Sequence, residues 1–127
     1  AGIPGSLRSL PKDPDVVKTW SARRRKAFNL IMRTRYLSAK TGQFLSLGAN
    51  IEGDPYWAEV YDGRLGHVIF GHEPFMDGPA LFEHATGIDT GAVLGGTLTA
   101  LVLADETGER SFVSVPSRGE FCTQFGE

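Results

Sequence analysis

Val68-Ile69-Phe70-Gly71-His72-Glu73-Pro74 is the stretch on which the reading of this chain turns. Three apolar residues in a row read as a short buried strand, and the mouth at the carboxyl ends of such strands is where α/β folds assemble their sites. His72 falls just beyond the run, after a glycine expected to let the backbone bend closely around it. A ring nitrogen there is placed to hold a metal at the sheet's edge. A histidine after a strand also serves as an ordinary hydrogen-bonded residue, and residue chemistry alone does not choose between the two.

Working outward, the pattern from residue 67 onward is of short β segments at about 67–70, 84–88, 97–103 and 110–115, separated by Gly, Pro and Asp. Upstream the signals are helical. Asp13-Pro14 is a strong helix start, and a helix over about 14–35 follows. Val17, Trp20, Arg24, Ala27, Phe28 and Ile31 share its apolar stripe, while Lys18, Arg25 and Asn29 point elsewhere. Arg24 on that stripe implies a snorkelling side chain or an inward salt bridge. Asp54-Pro55 repeats the cap-plus-proline start for a short helix to Tyr61, with Gly63 as its stop and Trp57 and Tyr61 on one buried face. Helices early and strands late make this an α+β chain.

Length and composition bound the function. The 127 residues, 41% of them hydrophobic, suit one modest domain with a packed core. A net charge of −2 and a pI near 5.9 argue against a generally basic nucleic-acid surface. The single cysteine, Cys122, cannot form an intrachain disulfide, so an intracellular, reducing compartment is expected. No apolar run approaches the roughly 18 residues that span a bilayer, so no membrane partner is expected. The basic run Arg23-Arg24-Arg25-Lys26 reads first as a solvated helix face and only second as a nucleic-acid contact.

The segments taken in order are Ala-Gly-Ile-Pro-Gly at 1–5, Met-Arg-Thr-Arg-Tyr-Leu at 32–37, Trp-Ala-Glu-Val-Tyr-Asp-Gly at 57–63, the stretch around Gly71-His72, Ala-Thr-Gly-Ile-Asp-Thr-Gly-Ala at 85–92 and Gly-Gly-Thr-Leu-Thr-Ala at 95–100. This series resembles the C-terminal half of calcineurin-like metallophosphoesterases of the phosphoprotein phosphatase superfamily, most closely the symmetrical bis(5'-nucleosyl)-tetraphosphatases and their phosphatase-like relatives. The resemblance spans residues 1–116, leaving 117–127 as a polar, loosely packed tail. It implies the second half of an αββα sandwich with a mixed sheet. It also implies that an Asp-x-His, an Asp motif ending in Arg-Gly, an Asn-His-Asp/Glu and a His before Ala-Gly come from the first half. None of these four is in this chain.

By that resemblance His72 is the ligand position for one of two divalent metal ions (Mn, Fe or Zn). Pro74 in place of a second histidine matches the phosphatase branch. The resemblance bears more loosely on Arg35, whose guanidinium would reach a substrate phosphate; Arg33 and Arg35 also close the long helix, where cations suit the dipole's negative end. Asp89 follows another apolar run and would orient a ligand or water behind the metal, or else form a turn with side-chain-to-backbone bonds. His67 and His84, at the starts of their strands, are expected at the opposite edge from His72 if those strands are parallel. Neither a nucleophile elbow nor a cysteine motif is present.

The expected function is a metal-dependent phosphoric ester or anhydride hydrolase, incomplete in this chain because half the ligands are elsewhere. Dinucleoside polyphosphates, capped RNA ends and phosphoproteins are its candidate substrates. The rival is a catalytically inactive phosphoesterase-like structural or interaction subunit. In either case a missing N-terminal half or a partner protein must cover the sheet's apolar side chains Val68, Phe70, Ile88, Leu98 and Leu101.

Overall fold

Helix formation begins at Pro14, where a missing backbone N–H costs nothing, but the single long helix expected from the apolar spacing is two. In the computed structural model, which describes residues 14–104 and 107–122, α1 (Pro14–Lys18) closes on tight bonds from the Thr19 and Trp20 N–H groups to the Val16 and Val17 carbonyls. The side chain of Ser21 then caps α2 (Ala22–Arg33), accepting from the Arg24 N–H at 3.4 Å. A cap that offers the backbone an alternative to continuing the helix outweighed the periodicity. The Asp13 cap falls outside the described residues. Where it is described the stripe is as expected: Val17, Trp20, Arg24, Ala27 and Phe28 are half-buried, and Lys18, Arg25 and Asn29 are exposed, while the side chain of Ile31 lies outside the description. Arg24 places its guanidinium 3.8 Å from the centre of the Trp20 ring, a cation–π contact.

The chain divides into two compact units, Ala1–Val60 and Tyr61–Glu127. In the first, the segment after α2 folds back on itself, with isolated bridges joining Tyr36 to Tyr56 and Leu37 to Phe44. Asp54 does not cap a helix. Its carboxylate accepts the Ile51 N–H at 2.9 Å and the Ala39 N–H at 2.8 Å, which holds its pKa below the ordinary value. With that side chain committed to the loop, only a single 3₁₀ turn forms, at Trp57–Glu59. Trp57 and Tyr61 therefore do not share a helix face; they fall in different units.

The second unit holds two three-stranded sheets. In the first, β1 (Val68–Phe70), β2 (Ala80–Leu81) and β3 (Ala85–Gly87) are ordered β1-β3-β2, with β3 parallel to β1 and antiparallel to β2. All three residues of central β3 are buried. Gly87 has to be glycine: a Cβ there would come 2.6 Å from the Phe75 ring and 3.0 Å from the Phe70 ring. After Ile88 the chain enters the second sheet, in which β4 (Asp89–Thr90), β5 (Thr97–Leu103) and β6 (Arg110–Pro116) are antiparallel in that order. The sheets are thus mixed and antiparallel, the helices come early, and the fold is α+β.

Small residues occupy the interior. Ala58, Ala85, Thr86, Thr90 and Thr99 are buried, and among the described residues no large side chain is fully so. The Thr-x-Thr spacing of Thr97 and Thr99 puts both hydroxyls on one face of β5. There Thr90 Oγ1 donates to the Thr97 carbonyl at 2.6 Å and lies 2.7 Å from Thr99 Oγ1, which is 2.7 Å from Ser114 Oγ. Residues 117–122, expected as a loose tail, are fastened: the Ser117 N–H donates to the Gly96 carbonyl, and the Phe121 and Cys122 N–H groups share that of Val93. Among the described residues no helix is long and apolar enough to cross a membrane.

Candidate functional site

Parallel pairing of β1 with β3, Val68 opposite Ala85 and Phe70 opposite Gly87, places His72 just past the carboxyl ends of both strands. His67 and His84 lie at the other ends, as the sequence implies for parallel strands. The bend after β1 is made differently from expectation. Gly71 keeps an ordinary backbone, and His72 itself takes the left-handed conformation, with φ 73°. Among the described residues it is the only non-glycine that does so. Such a conformation is uncommon outside glycine, though histidine tolerates it better than most residues, and it persists where the surroundings impose it.

Asp89 imposes it. The first residue of β4 accepts the His72 N–H on Oδ2 at 3.0 Å and the Gly91 N–H on Oδ1 at 3.1 Å. Its backbone carbonyl accepts the Phe75 N–H at 2.9 Å. Asp89 therefore bonds the backbone two residues on, as a turn does, and it also accepts the backbone N–H of the residue that carries the candidate ligand. His72 is an exposed residue.

Beside this corner an open cleft of about 380 Å³ is lined by Ile69, Gly71, Ile88, Asp89, Ala92 and Leu98, among others. Thr90, Thr97 and Thr99 stand among these apolar side chains. Arg35 belongs to the other unit, one residue past the Thr34 cap of α2 rather than within the helix, and its backbone carbonyl accepts the Trp57 N–H at 2.9 Å. The structure thus brings together His72 and Asp89, two of the three site residues picked from the sequence.

A pair of divalent cations needs several oxygen and nitrogen donors around it. The described residues contain no group of three or more His, Cys, Asp or Glu able to hold even one ion, and both oxygens of Asp89 already accept backbone N–H groups. By themselves they do not fit a two-metal centre.

A second polar cluster, at the opposite ends of β1 and β3, was not legible beforehand. His67 Nε2 lies 2.8 Å from Thr86 Oγ1, and the Arg110 guanidinium, from the start of β6, lies 3.1 Å from the His67 ring nitrogens. Burial, then the charge of Arg110, then that of His84, push the His67 pKa down. Arg110 is 43 residues from His67, so no local pattern could have paired them.

No family model and no solved structure matches the chain. It is 40% identical over 84 residues to the asymmetrical bis(5'-nucleosyl)-tetraphosphatases PrpE of Bacillus thuringiensis (strain Al Hakam), Bacillus cereus (strain AH820) and Bacillus anthracis (strain CDC 684 / NRRL 3495). The matched stretch is 66% of this chain and 31% of each relative. The relatives carry the asymmetrical designation, where the motif series suggested the symmetrical branch. The chain spans about a third of the length of the curated relatives it matches, and over the matched stretch it is similar to bis(5'-nucleosyl)-tetraphosphatases.

Proposed function

We propose that this chain contributes one edge of the active site of a hydrolase that cleaves phosphoric anhydrides or esters, with dinucleoside polyphosphates as the leading substrate class. The observation that carries the reading is the 40% identity over 84 residues to bis(5'-nucleosyl)-tetraphosphatases, joined to a His72 that is held in a strained backbone at the strand mouth. Strain of this kind gathers at functional sites.

In this reading His72 presents its imidazole to a divalent cation, Mn, Fe or Zn, and Asp89 fixes the backbone from which that ring projects. Arg35 supplies a planar donor fork to a substrate phosphate. The remaining cation ligands and the acid that protonates the leaving group come from protein outside the described residues. An inactive interaction subunit is the second reading, favoured by the absence of a three-ligand cluster among the described residues.

The chain alone, assayed with added Mn on p-nitrophenyl phosphate and on a bis(5'-nucleosyl) tetraphosphate, is expected to show no turnover, because ligands to a shared centre act as a unit. Turnover that His72→Asn abolishes would show the site to be complete in this chain. When the chain is co-expressed with the part of a Bacillus relative lying outside the match, the tetraphosphate is expected to be hydrolysed. Failure there favours the inactive reading.

A further inference from the structure

The net charge of −2 hides a division along the chain. The unit Ala1–Val60 carries ten Lys or Arg against five Asp or Glu, and Tyr61–Glu127 carries three against ten. Asymmetry of this kind within one chain points to a polyanionic partner for the basic part, whatever the overall pI. The excess concentrates in α2, whose 12 residues include Arg23, Arg24, Arg25, Lys26 and Arg33 and no Asp or Glu.

Folding does not account for that placement. Arg23, Arg24, Arg25 and Lys26 crowd the start of α2, the positive end of the helix dipole, where cations cost stability, and no acidic residue in the first turn offsets them. Two of these side chains are used within the unit: Arg24 lies over the Trp20 ring, and Arg25 Nη1 donates to the Lys18 carbonyl at 3.3 Å. Arg23, Lys26 and Arg33 are exposed, and among the described residues their side chains have no hydrogen-bond or ion-pair partner. Spaced three and then seven residues apart, they follow one side of the helix over about 15 Å. A local rule broken without a structural return is expected where a partner supplies the compensation.

We infer that Arg23, Lys26 and Arg33 form a contact surface for the phosphodiester backbone of a nucleic acid. One strand of a duplex offers a phosphate about every 3.4 Å along its axis, so a stripe of this length meets one phosphate with each cation. An anionic membrane is the poorer fit. A helix that lies on lipid inserts its aromatic side, and here Trp20 and Phe28 are half-buried and packed edge to face at 5.6 Å. The surface belongs to the first unit and is independent of the hydrolytic reading.

The test is titration of the full chain into a fluorescein-labelled duplex of about 20 base pairs, followed by anisotropy, with phosphatidylserine–phosphatidylcholine vesicles as the competing polyanion. With three phosphate contacts, affinity is expected to fall about fortyfold between 50 and 200 mM salt. Arg23→Glu combined with Lys26→Glu should weaken binding at least tenfold at 50 mM salt and flatten that dependence, each lost contact lowering the slope by about one. Both substitutions put an acid where the helix dipole favours one, so the variant should keep its helical circular dichroism and melt no lower than the parent, which separates lost binding from lost folding. Absence of binding at 50 mM salt, a Glu variant that binds like the parent, or vesicles bound more tightly than the duplex would each overturn the inference.

Discussion

At residue 72 backbone and side chain make opposite demands. Asn tolerates φ near 73° and Val does not, because a β-branched side chain crowds the adjacent carbonyl. His72→Asn should melt close to the parent chain, and His72→Val should be less stable by about 1–2 kcal/mol, as read by thermal unfolding. Equal destabilisation by both would mean that the ring, rather than the backbone, carries the stability at this position. Asp89 is the complementary case. Asp89→Ala removes the acceptor for two N–H groups and should cost about 1–3 kcal/mol, with faster amide exchange at His72 and Gly91. Unchanged exchange at His72 would contradict its role in holding the corner. The sequence identified both residues by their place after short apolar runs, yet not the bond between them, because a contact across 17 positions leaves no local trace.

Among elements, the β segments were the most legible. Expected strands at about 67–70, 84–88, 97–103 and 110–115 correspond to β1, β3, β5 and β6, since alternating or continuous apolar runs bounded by Gly, Pro and Asp encode them directly. The two-residue strands β2 and β4 are too short to carry a period. The break at Ser21 and the loss of the helix after Asp54 have one cause, a short polar side chain that bonds the backbone locally. Between the sheets, Arg110 and Thr86 contact the His67 ring, and His84 adds a nearby ionisable group. The folded pKa of His67 is lowered, so its contribution to stability is present above the unfolded value near 6.5 and is lost as pH falls through that value toward the folded one. Between pH 7.5 and pH 5 the parent chain should lose more melting temperature than His67→Gln. The same loss in both would place the pH sensitivity at another group.

For the whole molecule, the α+β class followed from the order of elements, and the likeness to bis(5'-nucleosyl)-tetraphosphatases from the Gly71-His72, Gly87-Ile88-Asp89-Thr90-Gly91 and Gly95-Gly96-Thr97-Leu98 segments together. The division into two units at Tyr61 was not legible, because apolar content alone suggests one core and does not show which side chains reach it. With only small residues buried among the described residues, and Leu98, Val113, Val115 and Phe121 largely exposed, stability should rise when the apolar surface is covered. The chain alone is therefore expected to melt lower than the same chain in complex with the remainder of a phosphoesterase domain. An unchanged melting temperature in a confirmed complex would place the contact elsewhere. The most direct measurement is hydrolysis of a bis(5'-nucleosyl) tetraphosphate by that co-expressed assembly, parent against His72→Asn. Turnover in the parent, lost at least a hundredfold in a variant of equal stability and equal assembly, is the predicted result; turnover that His72→Asn leaves intact would contradict the assignment of this corner to the active site.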